Sequence, residues 1–365
     1  MNTRVSSRLG EWLVLYSLSL FTALLLSTLL VEATGGDWRA VLNALLDGSI
    51  RKPGRWGETI STAAPILLVA LGTVIATRAG LVNIGQEGQL YIGAAVGTFI
   101  GFLVGGPGAL NVVLILGCGA LGGGIWAGFA AALKYWRGVP EVLSTLLLVS
   151  VASHAVAYGF RWDWLLLAPE ADRGNRNQVS EQLPLDNRLP RPNIFGNEIP
   201  LTVPISVVIT LGVTLVLTRT IWGFRLKILG RNKRTAQRVG VAEGKYGATA
   251  LLLSGAFAGL AGAFMLTGGG YTFGNYQFVP GFAANIGWTG LLVALVANEK
   301  PLAAVPVAVL FAGLRTGSGF VSSTGVESRI TDVIAGLLVL SLLIPTALML
   351  LRDQRRFRTN MSERV

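Results

Sequence analysis

The sequence predicts an all-α integral membrane protein with about ten transmembrane helices, in a range of eight to ten that includes broken or re-entrant segments. Hydrophobic residues make up 52% of the 365 residues and charged residues only 13%. Soluble domains carry about 25% charged residues, so this chain cannot coat a soluble globule of its size. The mean hydropathy is +0.59, and several apolar runs approach the length of about 20 residues that crosses a bilayer.

The first apolar run, residues 12–31, is predicted to be an uncleaved transmembrane span. A signal peptide is the alternative, but signal peptides have apolar cores of about 7–15 residues and a small-residue cleavage site. This run is longer and lacks a clean cleavage site. Residues 32–59 are expected to form an outer segment. Within it, residues 37–50 place apolar side chains at helical spacing, which predicts a short helix at the membrane interface.

Nine further apolar runs fall into two helix groups, at 60–160 and 201–351, which a polar stretch at 161–200 separates. The runs are Ile60–Thr77, Leu81–Val104, Leu110–Leu133, Val142–Phe160, Leu201–Trp222, Ala248–Leu266, Ala284–Val296, Leu302–Leu314 and Ile330–Leu351. Several of these runs are short or interrupted, which is why the number of spans is given as a range.

The charge distribution predicts how the spans are oriented. Residues 223–247 hold seven basic residues against one acidic residue, and the tail 352–365 holds five against two. The stretch 161–200 has five basic and six acidic residues, and 32–59 has four of each. Because cytoplasmic loops collect Lys and Arg, the basic loop, the tail and both termini are predicted to be cytoplasmic, and the balanced stretches to lie outside. The same rule accounts for the net charge of +11 without a nucleic-acid partner.

Several function classes are disfavoured by what the sequence lacks. The only cysteine is Cys118 and the only histidine is His154, so no disulfide framework and no metal site are predicted. The G-x-x-x-x-G-K-[ST] phosphate loop, the H-E-x-x-H zinc motif and the G-x-S-x-G elbow do not occur. We therefore predict no catalytic residue and do not expect an enzyme.

A polar segment interrupts the apolar run Leu81–Val104 in the first helix group. It contains a carboxylate and three amides, Glu87 with Asn83, Gln86 and Gln89. Such groups are costly within a membrane unless they are partnered or face water, so they indicate a polar elbow at or near a substrate path. The alternative is a turn at the membrane interface in which Glu87 pairs with Arg78.

The two halves of the chain share a faint repeat. Asn83-Ile-Gly85 precedes one apolar run, and Asn285-Ile-Gly287 precedes another. Paired, glycine-interrupted segments in two halves are typical of a substrate path at the bilayer midplane. Asn285 and Trp288 therefore join the predicted path residues.

Two further segments have a predicted structure. In the basic loop, Thr235–Val239 is expected to form a short helix with Gly240 as its C-terminal cap. In the run 254–263, small residues line two helix faces, which predicts close helix packing. One face holds Ser254, Ala258 and Gly262, and the other holds Gly255 and Gly259.

Residues Gly80–Ala94 resemble the signature of permease subunits of bacterial ABC importers for nucleosides and simple sugars. These permeases belong to a larger group that includes branched-chain amino acid and ribose permeases. Val139–Thr145 is similar to the Glu-Val-Ile-Ser-Thr segment of that family, 223–240 resembles its ATPase-docking loop, and 254–263 resembles its glycine-rich helix. The resemblance extends from about residue 60 to 345.

The resemblance implies one transmembrane permease domain over residues 1–365 in a prokaryotic inner membrane. It implies that ATP–Mg binds to separate ATPase subunits and that this chain holds no cofactor. The other implied partners are membrane lipid, an extracytoplasmic substrate-binding protein docking near 161–200, and a second permease, with a heterodimer expected over a homodimer. The implied ATPase-coupling residues are Gly230, Arg231, Asn232, Arg234, Ala236, Arg238 and Gly240.

The implied solute is a nucleoside or a similar small polar molecule such as a simple sugar. One alternative is an ABC permease for branched-chain amino acids. Another is a self-sufficient secondary transporter, which would need an ion or proton site at an acidic residue such as Glu87, Glu141 or Asp332. A channel or membrane scaffold is a third alternative.

Overall fold

The structure of the chain, a computed structural model, describes most residues between 18 and 325 and a few beyond. The described residues are 18–19, 21–23, 25–105, 108–169, 178–269, 276–279, 281–282, 285–325, 330, 333, 334, 336, 337, 341 and 344. The start of the predicted first span, the tail 352–365 and Asp332 lie outside these ranges, as does most of the last predicted run. The described residues between 18 and 33 are helical.

Helices make up nearly all the regular structure of the described residues. They are α1 (Trp38–Leu46), α2 (Arg55–Arg78), α3 (Gln86–Leu103), α4 (Gly108–Arg137), α5 (Glu141–Gly159), α6 (Thr202–Arg219), α7 (Ile221–Arg231), α8 (Lys233–Arg238), α9 (Glu243–Gly268), α10 (Ile286–Val296) and α11 (Pro301–Val321). A π-helical turn follows α1 at Asp47–Arg51, and 3₁₀ turns occur at Leu185–Asn187 and Ser322–Thr324. Two short strands, β1 (Asn193–Ile194) and β2 (Asn197–Glu198), form a hairpin.

Six helical segments of the described chain are long and apolar enough to cross a membrane. They are α2, α4, α5, α6, α9 and the segment Pro301–Thr324, which contains α11. The chain is therefore an all-α protein with multiple membrane-spanning helices, as the sequence predicts. The number of about ten spans and the cytoplasmic location of the termini stay predictions.

The predicted run Leu81–Val104 is wrong at its start, because α3 begins only at Gln86. Gly80 has a φ of +74°, which ends the preceding helix. The side chain of Asn83 then accepts the backbone N–H of Gly85 at 3.1 Å, a local bond that competes with helix formation. The run Leu201–Trp222 is also divided, at Thr220, whose hydroxyl caps α7 by accepting the N–H of Gly223 at 3.3 Å.

The described residues form two compact units, one from Lys52 to Gly313 and the other from the residues up to Arg51 and from Leu314 onward. In the smaller unit, Val41 of α1 packs in a core with Val31 and Val321. The helix predicted within 37–50 is present as α1, and Asp37 caps it by accepting the N–H of Arg39 at 2.8 Å.

In the larger unit, α2 and α9 form the interior. In the most apolar 18-residue stretch of each helix, 94% of the residues are buried in α2 and 67% in α9. The corresponding values for α4, α5 and α6 are only 22–33%. The two predicted small-residue faces of α9 are confirmed. Gly255 and Gly259 lie against Gly123 of α4, and Gly262 lies against Leu90 of α3. The exposed surface of these helices therefore falls mainly to α4, α5 and α6.

The described part of the stretch 161–200 packs against the helix ends and is not a loop that is fully exposed to solvent. Asn187 donates to the carbonyl of Gly101 at 2.7 Å and accepts from Asn111 at 2.8 Å. The N–H of Leu189 donates to the carbonyl of Thr267 at 2.8 Å. This segment therefore joins the ends of α3, α4 and α9 at the end of the unit where α2 begins.

Candidate functional site

The polar segment before α3 forms a closed network of buried amides. Asn83 and Gln89 are each 1% exposed and bond to each other in both directions, at 2.9 and 3.0 Å. The amide nitrogen of Asn83 also donates to the hydroxyl of Ser254 on α9 at 2.9 Å. Because each amide is hydrogen-bonded, its burial costs little free energy.

Gln86 extends the network to α2. Its carbonyl oxygen accepts from the hydroxyl of Thr73 at 2.7 Å, and its nitrogen donates to the carbonyl of Val69 at 2.9 Å. Val69 lies near the middle of α2, so the elbow is deep in the unit and not at a helix end. The amide network, defined as Asn83, Gln86 and Gln89, thus ties the start of α3 to α2 and α9. Contact between these residues and a solute stays a prediction.

Glu87 connects this network to the start of α10. Its two carboxylate oxygens accept backbone N–H groups, from Asn285 at 2.8 Å and from Gly287 at 2.6 Å. The start of a helix has unpaired N–H groups and a partial positive charge, so it balances a carboxylate that is only 7% exposed. Pairing with Arg78 is therefore not needed to explain the burial of Glu87.

The close approach of α10 to Glu87 depends on Gly287. A β-carbon at Gly287 would lie 2.7 Å from both the α-carbon and Oε2 of Glu87. Asn285, one residue before α10, has a φ of +66° and is exposed, and Trp288 is 39% exposed. The first Asn-Ile-Gly segment of the faint repeat ends just before α3, and the second includes the first two residues of α10. Glu87 connects the starts of these two helices.

The sequence does not single out the partners that the amide network uses. Thr73 lies in the apolar helix just before the elbow, and Ser254 lies 171 residues after Asn83, in α9. Thr145 of α5 accepts the N–H of Ile84 at 3.3 Å. The one available signal is a polar residue on a small-residue face, which applies to Ser254. Phe278 is another residue near the site that the sequence does not single out. It is fully buried, and its ring centroid lies 6.4 Å from that of Tyr91, which is one helical turn after Glu87.

Replacing Ser254 by alanine is expected to lower the free energy of unfolding by about 1–2 kcal/mol, because Asn83 loses one of its buried acceptors. The measurement is the midpoint of thermal unfolding of the protein in detergent. Ser206→Ala is a matched control, because Ser206 is also buried but its hydroxyl bonds the carbonyl of Val203 in its own helix. Equal midpoints for the two variants would contradict a linking role for Ser254.

The basic helix pair, α7 and α8, contains the predicted coupling residues. The predicted short helix, Thr235–Val239, is present as α8. The observed helix begins two residues earlier than predicted, at Lys233, and ends one residue earlier, at Arg238. Asn232 caps α8 by accepting the N–H of Thr235 at 3.1 Å, and the predicted cap at Gly240 is confirmed by its φ of +75°. Around the buried Ala236, the side chains of Arg231, Arg234 and Arg238 are exposed. A role of these residues in binding an ATPase stays a prediction.

Gly230, near the end of α7, joins this helix pair to the amide network. A β-carbon at Gly230 would lie 2.8 Å from the backbone nitrogen of Gly80, and one at Gly80 would lie 3.0 Å from the α-carbon of Gly230. The two backbones therefore touch directly. Gly80 belongs to the turn that leads from α2 into Asn83, so a displacement of α7 acts on the chain only three residues before the network.

Comparison with known proteins identifies similar sequences over most of the chain. Residues 57–350 match the profile of the family described as branched-chain amino acid transport system / permease component. The chain is 28% identical over 324 residues to the guanosine ABC transporter permease protein NupP of Bacillus subtilis, which covers 88% of this chain and 90% of that protein. No solved structure matches the chain.

Two other relatives show the same pattern. The glucose ABC transporter permease protein TsgB13 of Haloferax volcanii is 30% identical over 299 residues, which are 78% of this chain and 75% of that protein. The nucleoside ABC transporter permease protein NupB of Lactococcus lactis is 24% identical over 289 residues, which are 78% of this chain and 77% of that protein.

Proposed function

The chain belongs to the branched-chain amino acid transport system permease family, and from this premise we propose that it is the transmembrane subunit of an ATP-driven ABC importer. One contact carries the proposal: the backbone of Gly230 at the end of the basic helix pair lies on the turn at Gly80. Through it, a force applied to α7 and α8 reaches the buried junction of α2, α3, α9 and α10. The permease itself is not catalytic, and ATP–Mg is hydrolysed on separate ATPase subunits.

The solute proposed is a nucleoside or a similar small polar molecule such as a simple sugar. Two relatives are named for guanosine and nucleoside transport and one for glucose transport. The interior of the unit agrees with an uncharged solute, because the carboxylate of Glu87 is balanced by the start of α10 and the nearby amides bond to one another. A branched-chain amino acid, which carries two charges, fits this interior less well.

The proposed mechanism uses the two ends of the larger unit differently. ATPase subunits bind the exposed arginines of the basic helix pair at the cytoplasmic face, and an extracytoplasmic binding protein delivers solute at the other end. A second permease, different from this one, completes the pore in a prokaryotic inner membrane. ATP binding favours one of two conformations of similar free energy, because the ATPases bind to them with different affinity.

The secondary-transporter alternative is less well supported. It requires an acidic residue that takes up an ion, and the described acidic candidates are already engaged. Glu141 forms an ion pair with Lys134 at 2.5 Å, and Glu87 accepts two backbone N–H groups. The direct test is uptake of guanosine by proteoliposomes that contain the permease pair, ATPase and binding protein. We expect ATP-dependent uptake, and robust uptake by this chain alone under an ion gradient would contradict the proposal.

Replacing Gly230 by valine is expected to lower ATP-dependent uptake about 10- to 100-fold, because the side chain separates the two touching backbones at a cost of about 1–3 kcal/mol. ATP hydrolysis by the ATPase subunits should continue, so the ratio of solute transported to ATP hydrolysed falls. Gly212→Val is the matched control, because no atom lies within 4 Å of a β-carbon placed at Gly212 in α6. An unchanged transport ratio in the Gly230 variant would argue against this route of coupling.

A further inference from the structure

The hairpin of β1 and β2 has an aromatic residue at a position that disfavours it. Its two-residue turn consists of Phe195 and Gly196, with φ of 51° and 77°. Turns of this type usually carry Asn-Gly or Asp-Gly, because both central residues need positive φ. A bulky side chain in this conformation is strained, and such strain is retained most often at functional sites.

Among the residues that the structure describes, none packs on Phe195 to compensate for the strain. Its side chain is 94% exposed, at the very tip of the hairpin. The base of the hairpin is held firmly, because Asn197 accepts the N–H of Gly57 at 3.1 Å and donates to the carbonyl of Phe195 at 3.0 Å. A β-carbon at Gly57 would lie 2.8 Å from that of Asn197, so the hairpin touches the start of α2. An exposed aromatic ring is thus presented on a rigid support.

Arg191 joins the hairpin to the two interior helices. Its guanidinium lies 3.4 Å from the carboxylate of Glu198 in β2 and 3.8 Å from that of Glu58 in the first turn of α2. It also donates to the carbonyl of Gly268, the last residue of α9, at 2.8 Å. Because the Arg191 side chain is only 12% exposed, these contacts fix the hairpin base relative to α2 and α9.

The location of the hairpin indicates what kind of partner meets Phe195. Its base lies on the ends of α2 and α9, the two most buried helices of the larger unit, and the chain passes from β2 into the start of α6 within four residues. The charge distribution predicts that this end faces outward. An aromatic side chain over the interior of the unit at this end meets a protein from the aqueous side more readily than lipid.

We propose that Phe195 is the anchor by which the extracytoplasmic substrate-binding protein docks, with its ring inserted into an apolar pocket of that protein. Exposed, rigid aromatic side chains that enter a pocket commonly dominate the binding free energy of an interface. Arg191 is a positioning residue that holds the anchor and joins it to α2 and α9. This inference rests on the proposed function, because it assumes a binding-protein-dependent importer.

The test uses Phe195→Asn, which removes the ring and supplies a residue that tolerates positive φ, so the hairpin keeps its turn. Uptake by the reconstituted complex is measured while the concentration of purified, solute-loaded binding protein is varied. We expect the half-saturating concentration of binding protein to rise about 10-fold or more while maximal uptake stays the same. Phe195→Tyr should retain the wild-type value.

Leu185→Asn is the matched control, because Leu185 is 77% exposed on the same segment but lies beside the contacts to α3 and α4. It should leave the half-saturating concentration unchanged. An unchanged value for Phe195→Asn would overturn the inference. So would a photoreactive benzoylphenylalanine at position 195 that cross-links to lipid and not to the binding protein.

The failure of the proposed function is distinguishable from the failure of this inference. If uptake by the wild-type complex does not depend on the binding protein, the proposed function fails before any variant is compared, and the anchor fails with it. If the wild-type complex depends on the binding protein and Phe195→Asn behaves like the wild type, the proposed function stands and only the anchor is overturned.

Discussion

Replacing Glu87 by glutamine is expected to lower ATP-driven uptake about 10- to 100-fold while the protein reaches the membrane at its normal level. The glutamine nitrogen would face one of the backbone N–H groups of Asn285 or Gly287, so one charge-assisted hydrogen bond is lost. Such bonds contribute about 1.5–3 kcal/mol. If the contact sets the free-energy difference between two transport conformations, a loss of this size lowers the uptake rate by about 10- to 100-fold.

The control for this variant is Glu141→Gln. Glu141 is also a partly buried carboxylate, but its partner is Lys134 at the junction of α4 and α5, away from the start of α10. We expect less than about a fivefold effect on uptake, because the Lys134–Glu141 pair does not touch α10 and its loss leaves the contact between α3 and α10 intact. Uptake is compared at equal amounts of permease in the membrane. If Glu87→Gln transports as fast as the wild type, the contact between α3 and α10 has no role in transport.

Much of the fold follows from the sequence because the bilayer imposes a simple rule on composition. A segment that spans a membrane is apolar over most of its length, so α2, α4, α5 and α9 appear in the sequence as apolar runs within a few residues of their observed ends. The rule fails at 81–85. There the apolar run continues while Gly80 and the side chain of Asn83 end one helix and delay the next.

The candidate site is only partly predictable, for a related reason. A carboxylate and three amides in an apolar run are conspicuous, so Glu87 and its neighbours can be found from the sequence alone. The pairing of these residues with Thr73, Ser254 and Gly287 cannot be predicted, since each partner lies in a different helix and contributes a single atom. Ser254 and Gly287 stand in segments that the sequence does single out, but nothing there indicates what they bond. The local cap at Gly240 was predictable from its neighbours, but the contact of Gly230 with Gly80 was not.

Replacing Gly123 by alanine is expected to destabilise the protein strongly, although alanine favours helix formation. A β-carbon at Gly123 would lie 2.7 Å from the α-carbon and the nitrogen of Gly259, so α4 and α9 must move apart. Gly93 of α3 lies against the same residue, so a third helix is disturbed. Overpacking costs about 1–3 kcal/mol, and we expect the midpoint of thermal unfolding in detergent to fall by roughly 5 °C or more.

Gly117→Ala separates this packing effect from helix propensity. Gly117 lies in the same helix, and nothing lies within 4 Å of a β-carbon placed there. Both substitutions gain about 1 kcal/mol of helix propensity, so Gly117→Ala should leave the unfolding midpoint unchanged or raise it, and only Gly123→Ala should lower it. A midpoint for Gly123→Ala that equals that of Gly117→Ala would mean that α4 and α9 can separate without cost. The buried network that Ser254 anchors on α9 would then not depend on the close approach of these two helices.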